Sequence, residues 1–307
     1  MTTTVAFVRS VSFPKYLLVT TAMALMILAC TIGVPPANAQ RGPYFQTIRG
    51  TVEGNANLQP GYEVLLYASN LRHRSGRILG TATTDDQGKF EIRYRQRPRL
   101  RQGFHPVLFI LAEKGPVMLA SVIGTGLGVH NDVVINERTT VATGVAFAQF
   151  IDGREICGNT YGMINAVKMA ENMANPKTGE VGDVLFNNPN GTETSTYRTF
   201  NSLANVVAGC VADEAACYSL FAATTPGGGP ATASVLEALA NMTKYPSQNL
   251  DTIFDLSFKN VVYAPALTAD EKPTSWLSEA DMAVIRRVLR TGALLEDDEF
   301  GIAEALL

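Results

Sequence analysis

Histidine is scarce in this chain. Its 307 residues hold three, His73, His105 and His130, spread over the first half. A Ser or Cys nucleophile needs a base within hydrogen-bond reach, and imidazole is the usual one. The sequence also lacks H-E-x-x-H, G-x-S-x-G and any cysteine pair at zinc spacing, which removes the metalloprotease helix, the hydrolase elbow and the zinc ribbon. The nearest thing to a dinucleotide loop is Gly124-Thr125-Gly126-Leu127-Gly128. No helical text follows it and no acidic residue ends a strand about twenty positions on, so a pyrophosphate has no helix N-terminus to sit on. No metal or cofactor is expected.

Charge is sparse and divided. Only 17% of residues are Asp, Glu, Lys or Arg, and the formal net charge is −3. From Arg41 to Ile135 there are 12 Lys and Arg against 7 Asp and Glu, a net of +5; from Asn136 to Leu307 there are 11 against 21, a net of −10. A net-negative chain is a poor fit for nucleic acid, and two halves of opposite sign attract each other without any outside partner.

What is present begins with an address. Arg9 and Lys15 precede the 19-residue apolar run Tyr16 to Val34, and Ala37-Asn38-Ala39 before Gln40 is a small-x-small cleavage site. Residues 1–39 therefore read as a secretory signal, which makes the mature protein secreted or periplasmic. Two alternatives stay open: the run is long enough to remain as a membrane anchor, and Cys30 after Ile27-Leu28-Ala29 has the form of a lipidation site.

After the leader come seven runs of β-branched and aromatic text at roughly ten-residue intervals: IRGTVEG, YEVLLYAS, RILGTATT, KFEIRYR, PVLFILA, PVMLASVIG and NDVVIN. Such spacing predicts an antiparallel β-sandwich over 40–135. Within it Arg93, Arg95, Arg97, Arg99 and Arg101 alternate, so an extended chain puts five guanidiniums on one face. They form either a candidate site for an anionic polymer or glycan or a charged edge that blocks strand pairing. Asp85 and Asp86 sit in a T-D-x-x-G-x-F turn, where carboxylates ordinarily bond nearby backbone; a calcium site is the alternative reading.

From Asn136 the period turns helical. Helices are expected over Glu137 to Ile151, Asn159 to Asn175, Ala231 to Lys244, and from Pro246 to near Ser257, with Lys177 to Ser195 as a polar loop. The stretch TFNSLANVVAGCVADEAACYSLF from Thr199 carries Cys210 and Cys217. In one unbroken helix their Cα atoms would stand about 10 Å apart along the axis, beyond the ~7 Å limit for a disulfide. Asp213 is a good N-cap, with Glu214 in the following first turn. The reading is a helix, a tight corner, a second helix, and a disulfide clasping the corner. Cys157, before Gly158-Asn159 at a helix start, is placed where a helix dipole lowers a thiol pKa. It is otherwise a buried apolar thiol or a partner for one of the other cysteines. Asp213 with Glu214, and Glu296 to Glu299, read as solvated helix ends rather than acid/base pairs.

Gly50-Thr51-Val52, Pro60-Gly61 and Thr84-Asp85 to Phe90 resemble the carboxypeptidase regulatory-like, transthyretin-like sandwiches of bacterial surface proteins. The segments NERTTVATGVAFAQF, GNTYGMINAVKMAENMANPKTGE, FNSLANVVAGCVADEAACYSLFAATTPGGG and VLEALANMTKYPSQNLDTIFDL, closing on Pro273-Thr274-Ser275-Trp276, resemble the helical segment that stands beside NHL-type β-propellers in secreted bacterial proteins. The resemblance implies an extracytoplasmic structural or binding role, with Cys210 and Cys217 in its paired-cysteine positions. It also implies a propeller after Trp276; the text there instead reads as a capping box at Ser278 to Asp281, a helix over Met282 to Arg290 and an acidic tail.

The expectation is an α+β chain of two domains. A transthyretin- or immunoglobulin-like antiparallel sandwich over 40–135 precedes an all-α domain over 136–276 with the Cys210–Cys217 clasp, and a helix and acidic tail fill 277–307. Its expected role is non-catalytic: envelope structure, adhesion, or binding of an anionic polymer, a glycan or another envelope protein. Membrane attachment is expected only through residues 16–34 or a lipidated Cys30. The alternative is a cryptic hydrolase or hydrolase-accessory domain using Cys157 or carboxylates.

Overall fold

The computed structural model describes residues 44–69, 76–96, 106–125 and 128–276. The leader with Cys30, His73, His105, Arg97, Arg99, Arg101 and the end of the chain over 277–307 lie outside the described residues. Contacts divide the chain after Tyr44, and the second unit begins at Phe45.

Strands and helices make an α+β fold. All seven strand runs are strands: β1 (Tyr44–Gly54), β3 (Glu63–Ala68), β4 (Arg77–Thr83), β5 (Lys89–Gln96), β6 (Val107–Lys114), β7 (Val117–Thr125) and β9 (Asp132–Ile135). Two-residue strands β2 (Asn57–Leu58) and β8 (Gly128–Val129) extend the edges. One sheet has the order β2-β1-β5 with β9 also on β1; the other has the order β4-β3-β6-β7-β8. The expectation of a wholly antiparallel arrangement is corrected at one pair, since β9 runs parallel to β1 from Arg49↔Asp132 to Val52↔Ile135. β9 is joined to β1 only through all the intervening strands, and a parallel pair needs just such a long connection.

Alternation tells where each sheet faces. On β5, Phe90, Ile92 and Tyr94 are buried while Glu91, Arg93 and Arg95 are exposed, a one-sided strand of period two. On β6 and β7 every residue from Val107 to Ala112 and from Val117 to Ile123 is buried, so both faces of those strands are covered.

Seven helices are present among the described residues: α1 (Glu137–Ala146), α2 (Thr160–Met173), α3 (Asp183–Phe186), α4 (Ser195–Ala212), α5 (Glu214–Thr224), α6 (Val235–Lys244) and α7 (Leu250–Ser257). Helix α1 is buried along its whole length and touches β7, α2, α4 and α6. It is also the helix that closes an open strand edge. β7 pairs with β6 along its length but with β8 only at its end, at Gly124 and Thr125. The strand edge left without a β partner is met by threonines of α1: Thr139 donates to the Ala120 carbonyl at 2.9 Å, and the Ala120 and Val122 amides donate to Thr140 and Thr143. An unpaired buried amide costs about 1–3 kcal/mol, so these hydroxyls serve where a longer β8 would have paired. Gly144 lets α6 come close, because a Cβ there would fall 2.5 Å from Leu239 Cβ.

The corner has the predicted form. Asp213 ends α4 and caps α5, its carboxylate accepting from the Ala215 amide at 3.0 Å, and Cys210 and Cys217 form a disulfide with Cα atoms 4.4 Å apart.

Other expectations need correction. Helix α1 stops at Ala146, because Ile151–Asp152 turns back through Gly153, at φ +60°, to pair with Glu155–Ile156 as a small hairpin, β10 and β11. The polar loop after Lys177 contains the short α3. Helix α6 begins at Val235 rather than Ala231, because Ser234 is its cap, accepting from the Glu237 amide. Pro246 is not in the first turn of α7. The helix starts at Leu250, since the side chains of Gln248 and Asn249 both donate to the Ala223 carbonyl near the end of α5 and fix the chain outside a helix.

Candidate functional site

Two places gather polar groups. The first is centred on the buried Glu137-Arg138 pair at the N-terminus of α1. Glu137 has 0% exposure; its carboxylate accepts from the Asn55 amide and from the Tyr263 hydroxyl, each at 2.6 Å. Burial pushes its pKa above the usual carboxylate range, with both hydrogen bonds opposing. The same desolvation, then the charge of Glu137, pushes the Tyr263 hydroxyl up; Tyr62 is raised to about 12 for the same two reasons. Arg138 lies 4.4 Å over the Tyr263 ring, donates to Asn201 and pairs with Glu180.

Asparagines of α4 finish the network. Asn205 accepts from the amides of Val262 and Tyr263 and donates to the Tyr263 carbonyl; Asn201 donates to the Pro265 carbonyl. Asn260 bridges the Asn55 side chain and the Ala208 carbonyl. Each carboxylate oxygen of Glu137 is occupied by a protein donor. These bonds hold the β1–β2 turn, α1, α4 and the 260–267 segment together.

The second place is open. A pocket of about 110 Å³ lies where the β6–β7 turn, the β10–β11 turn and the start of α6 meet. Val117 and Met118 form an apolar wall, and Glu113, Arg154, Ser234 and Glu237 supply polar groups. The Arg154 guanidinium bonds one oxygen of Glu113 at 2.8 Å from an exposed position. The other oxygen of Glu113 is buried and has no hydrogen-bond partner. Burial, partly offset by Arg154, raises the Glu113 pKa. Glu237 uses one oxygen to accept from the Ala233 amide at 2.9 Å.

Of the described residues singled out from sequence, Cys210 and Cys217 are joined by the disulfide, while Arg93, Arg95, Asp85 and Cys157 stand apart from both places. Arg93 and Arg95 stand exposed on the outer face of β5, Arg93 stacked 4.7 Å over Phe45. Glu91 shares that face and bonds Arg49 at 2.9 Å. Arg97, Arg99 and Arg101 lie outside the described residues. Asp85 directs one oxygen at the Gln87 and Lys89 amides, closing a turn whose Gly88 sits at φ +67°.

Cys157 is a buried free thiol. Its pKa is raised, first by burial and then by Asp152 and Glu155, which corrects the expectation that a helix start would lower it. His130 faces Glu171 at 3.6 Å. Among the described residues no cluster of three or more His, Cys, Asp or Glu has the arrangement of a metal site, and no helix is long and apolar enough to cross a membrane.

Sequence reasoning missed both polar centres. Glu137 and Arg138 did carry a signal, as two charges heading a helix that is otherwise Thr, Val, Ala and Gly. The pocket carried none, because its residues are drawn from three distant turns.

No family model matches the chain, and no curated protein does. Among solved structures a 9R-lipoxygenase from Cyanothece PCC8801 shows a faint likeness, 12% identical with a TM-score of 0.20. The match covers 55% of this chain and 25% of the lipoxygenase, so this chain spans about a quarter of that enzyme. A likeness at that level carries no argument about fold or chemistry.

Proposed function

We propose that the protein is exported and non-catalytic, a secreted or envelope component with a structural, adhesive or binding role. The observation that carries this reading is the Cys210–Cys217 bridge, since structural disulfides persist in oxidising compartments and are rare in the cytosol. The apolar run and small-x-small site before Gln40 agree with it. The absence of catalysis is supported by the raised Cys157 thiol, which is a weak nucleophile, and by the burial of the Glu137 carboxylate between two protein donors.

The finer architecture belongs to the same proposal. Residues 40–135 form a carboxypeptidase regulatory-like sandwich and 136–276 a helical domain. Their buried side chains make one continuous core, so the two unfold together. Binding of an anionic polymer or glycan falls to the outer face of β5, where Arg93 and Arg95 are exposed.

The reading is tested by producing the chain with its leader in a bacterium and locating it. Recovery from periplasm or medium, with salt-sensitive retention on an anionic polysaccharide that falls in Arg93→Ser/Arg95→Ser, is the expected result. Retention in the cytosol as a soluble reduced protein would refute export.

A further inference from the structure

We propose that the pocket between the β6–β7 turn, the β10–β11 turn and the start of α6 binds a primary ammonium group on a short alkyl chain. This goes beyond the functional reading above and does not depend on export.

The acceptors come first. Glu113 has one oxygen buried with no donor, while its other oxygen is held by a guanidinium that stands largely in water. Glu237 lines the same pocket with one of its oxygens committed to the Ala233 amide. Buried carboxylate oxygens without donors are costly, and an ammonium brings three donors and a compensating charge. Arg154 is exposed, so its guanidinium exchanges for an incoming ammonium by moving into solvent.

The walls then choose among cations. Among the described residues no third His, Cys, Asp or Glu joins these two carboxylates as a metal cluster, whereas a calcium ion takes at least six oxygens. Beside the carboxylates stand Val117, Met118 and Pro116, an apolar surface that suits methylene groups. Gly153, where a Cβ would meet nothing within 4 Å, leaves the β10–β11 side open. The volume, about 110 Å³, is below the 150 Å³ of a cavity that holds benzene, which fits an ammonium and a short chain.

The test is a chemical-shift titration of the purified chain with propylammonium, Nα-acetyl-lysinamide and acetate. Saturable shifts at Glu113, Gly153 and Ser234 with an amine, in the millimolar range, are expected. Stronger binding of propylammonium points to a free small amine, and stronger binding of the lysyl compound to a lysine side chain of a partner; both support the assignment. Glu113→Gln is expected to weaken binding by about tenfold or more, and Arg154→Gln, which removes the competing cation, to tighten it by up to about fivefold. If Glu113→Gln does not fold, Glu237→Gln carries the same expectation of weaker binding. Saturation by acetate alone, no saturable shift from either amine, or wild-type affinity in the folded carboxamide variants overturns the proposal. None of these results touches the Cys210–Cys217 bridge or the leader, so failure here leaves the exported, structural reading standing.

Discussion

Thr140 and Glu137 show how much of this fold depends on single polar atoms inside it. Replacing Thr140 by Val keeps the shape but removes the acceptor of the Ala120 amide, and the orphaned donor has no solvent to turn to. Chemical denaturation is expected to show a loss of about 1–3 kcal/mol; a change within 0.5 kcal/mol, the usual size for a neutral surface substitution, would mean the hydroxyl is not holding that edge. Glu137 predicts a pH dependence. Its folded pKa is raised, so the neutral form is favoured in the native state. The associated stability is fully present below about pH 4.3, the ordinary Glu value, and is lost as pH climbs through the raised folded pKa. Glu113 has the same sign. In Glu137→Gln the amide oxygen still accepts from Asn55, and the ionisation is gone. The stability of this variant relative to wild type is expected to improve steadily from pH 4.5 to neutrality. A flat difference over that range would show that Glu137 titrates normally.

At the scale of elements, the corner between α4 and α5 is the sharpest case. The bridge closes a loop of only seven residues, and loop-closure entropy for so short a span predicts about 2–3 kcal/mol of stabilisation. Cys210→Ala/Cys217→Ala should lose that amount in urea denaturation under oxidising conditions and nothing relative to the wild type under reductant. Equal stability of the two proteins without reductant would argue against a formed bridge.

That corner was legible beforehand because local rules decide it: a helix cannot bring residues seven apart together, and Asp213 is a natural restart. The seven strands were legible for a similar reason, through period-two text between turn formers. The parallel β1–β9 pair was not, since pairing across about eighty residues leaves no local trace. Nor were the end of α1 or the starts of α6 and α7. Ser234 acts there as a cap, and the Gln248 and Asn249 amides bind carbonyls of a different helix; such tertiary partners override propensity. The Glu113 pocket is assembled from three turns and is invisible without coordinates.

For the whole molecule, the continuous core predicts one cooperative unfolding transition. β6 and β7 are buried on both faces, and α1 is packed between β7 and three other helices, so neither half keeps a dry interior without the other. Far-ultraviolet circular dichroism and tryptophan fluorescence should report the same midpoint, because Trp276, buried against Phe254 with its amide on the Pro246 carbonyl, belongs to the helical half while the circular dichroism also reads the strands. Separate midpoints would show two independently stable domains. The central claim, that this is an exported protein stapled after leaving the cytosol, is met most directly by intact mass spectrometry of native material. The account predicts a chain beginning at Gln40, lighter by two hydrogens, with Cys157 as its single alkylatable thiol and that only after denaturation. A chain that still carries residues 1–39 and has every cysteine reduced would contradict it.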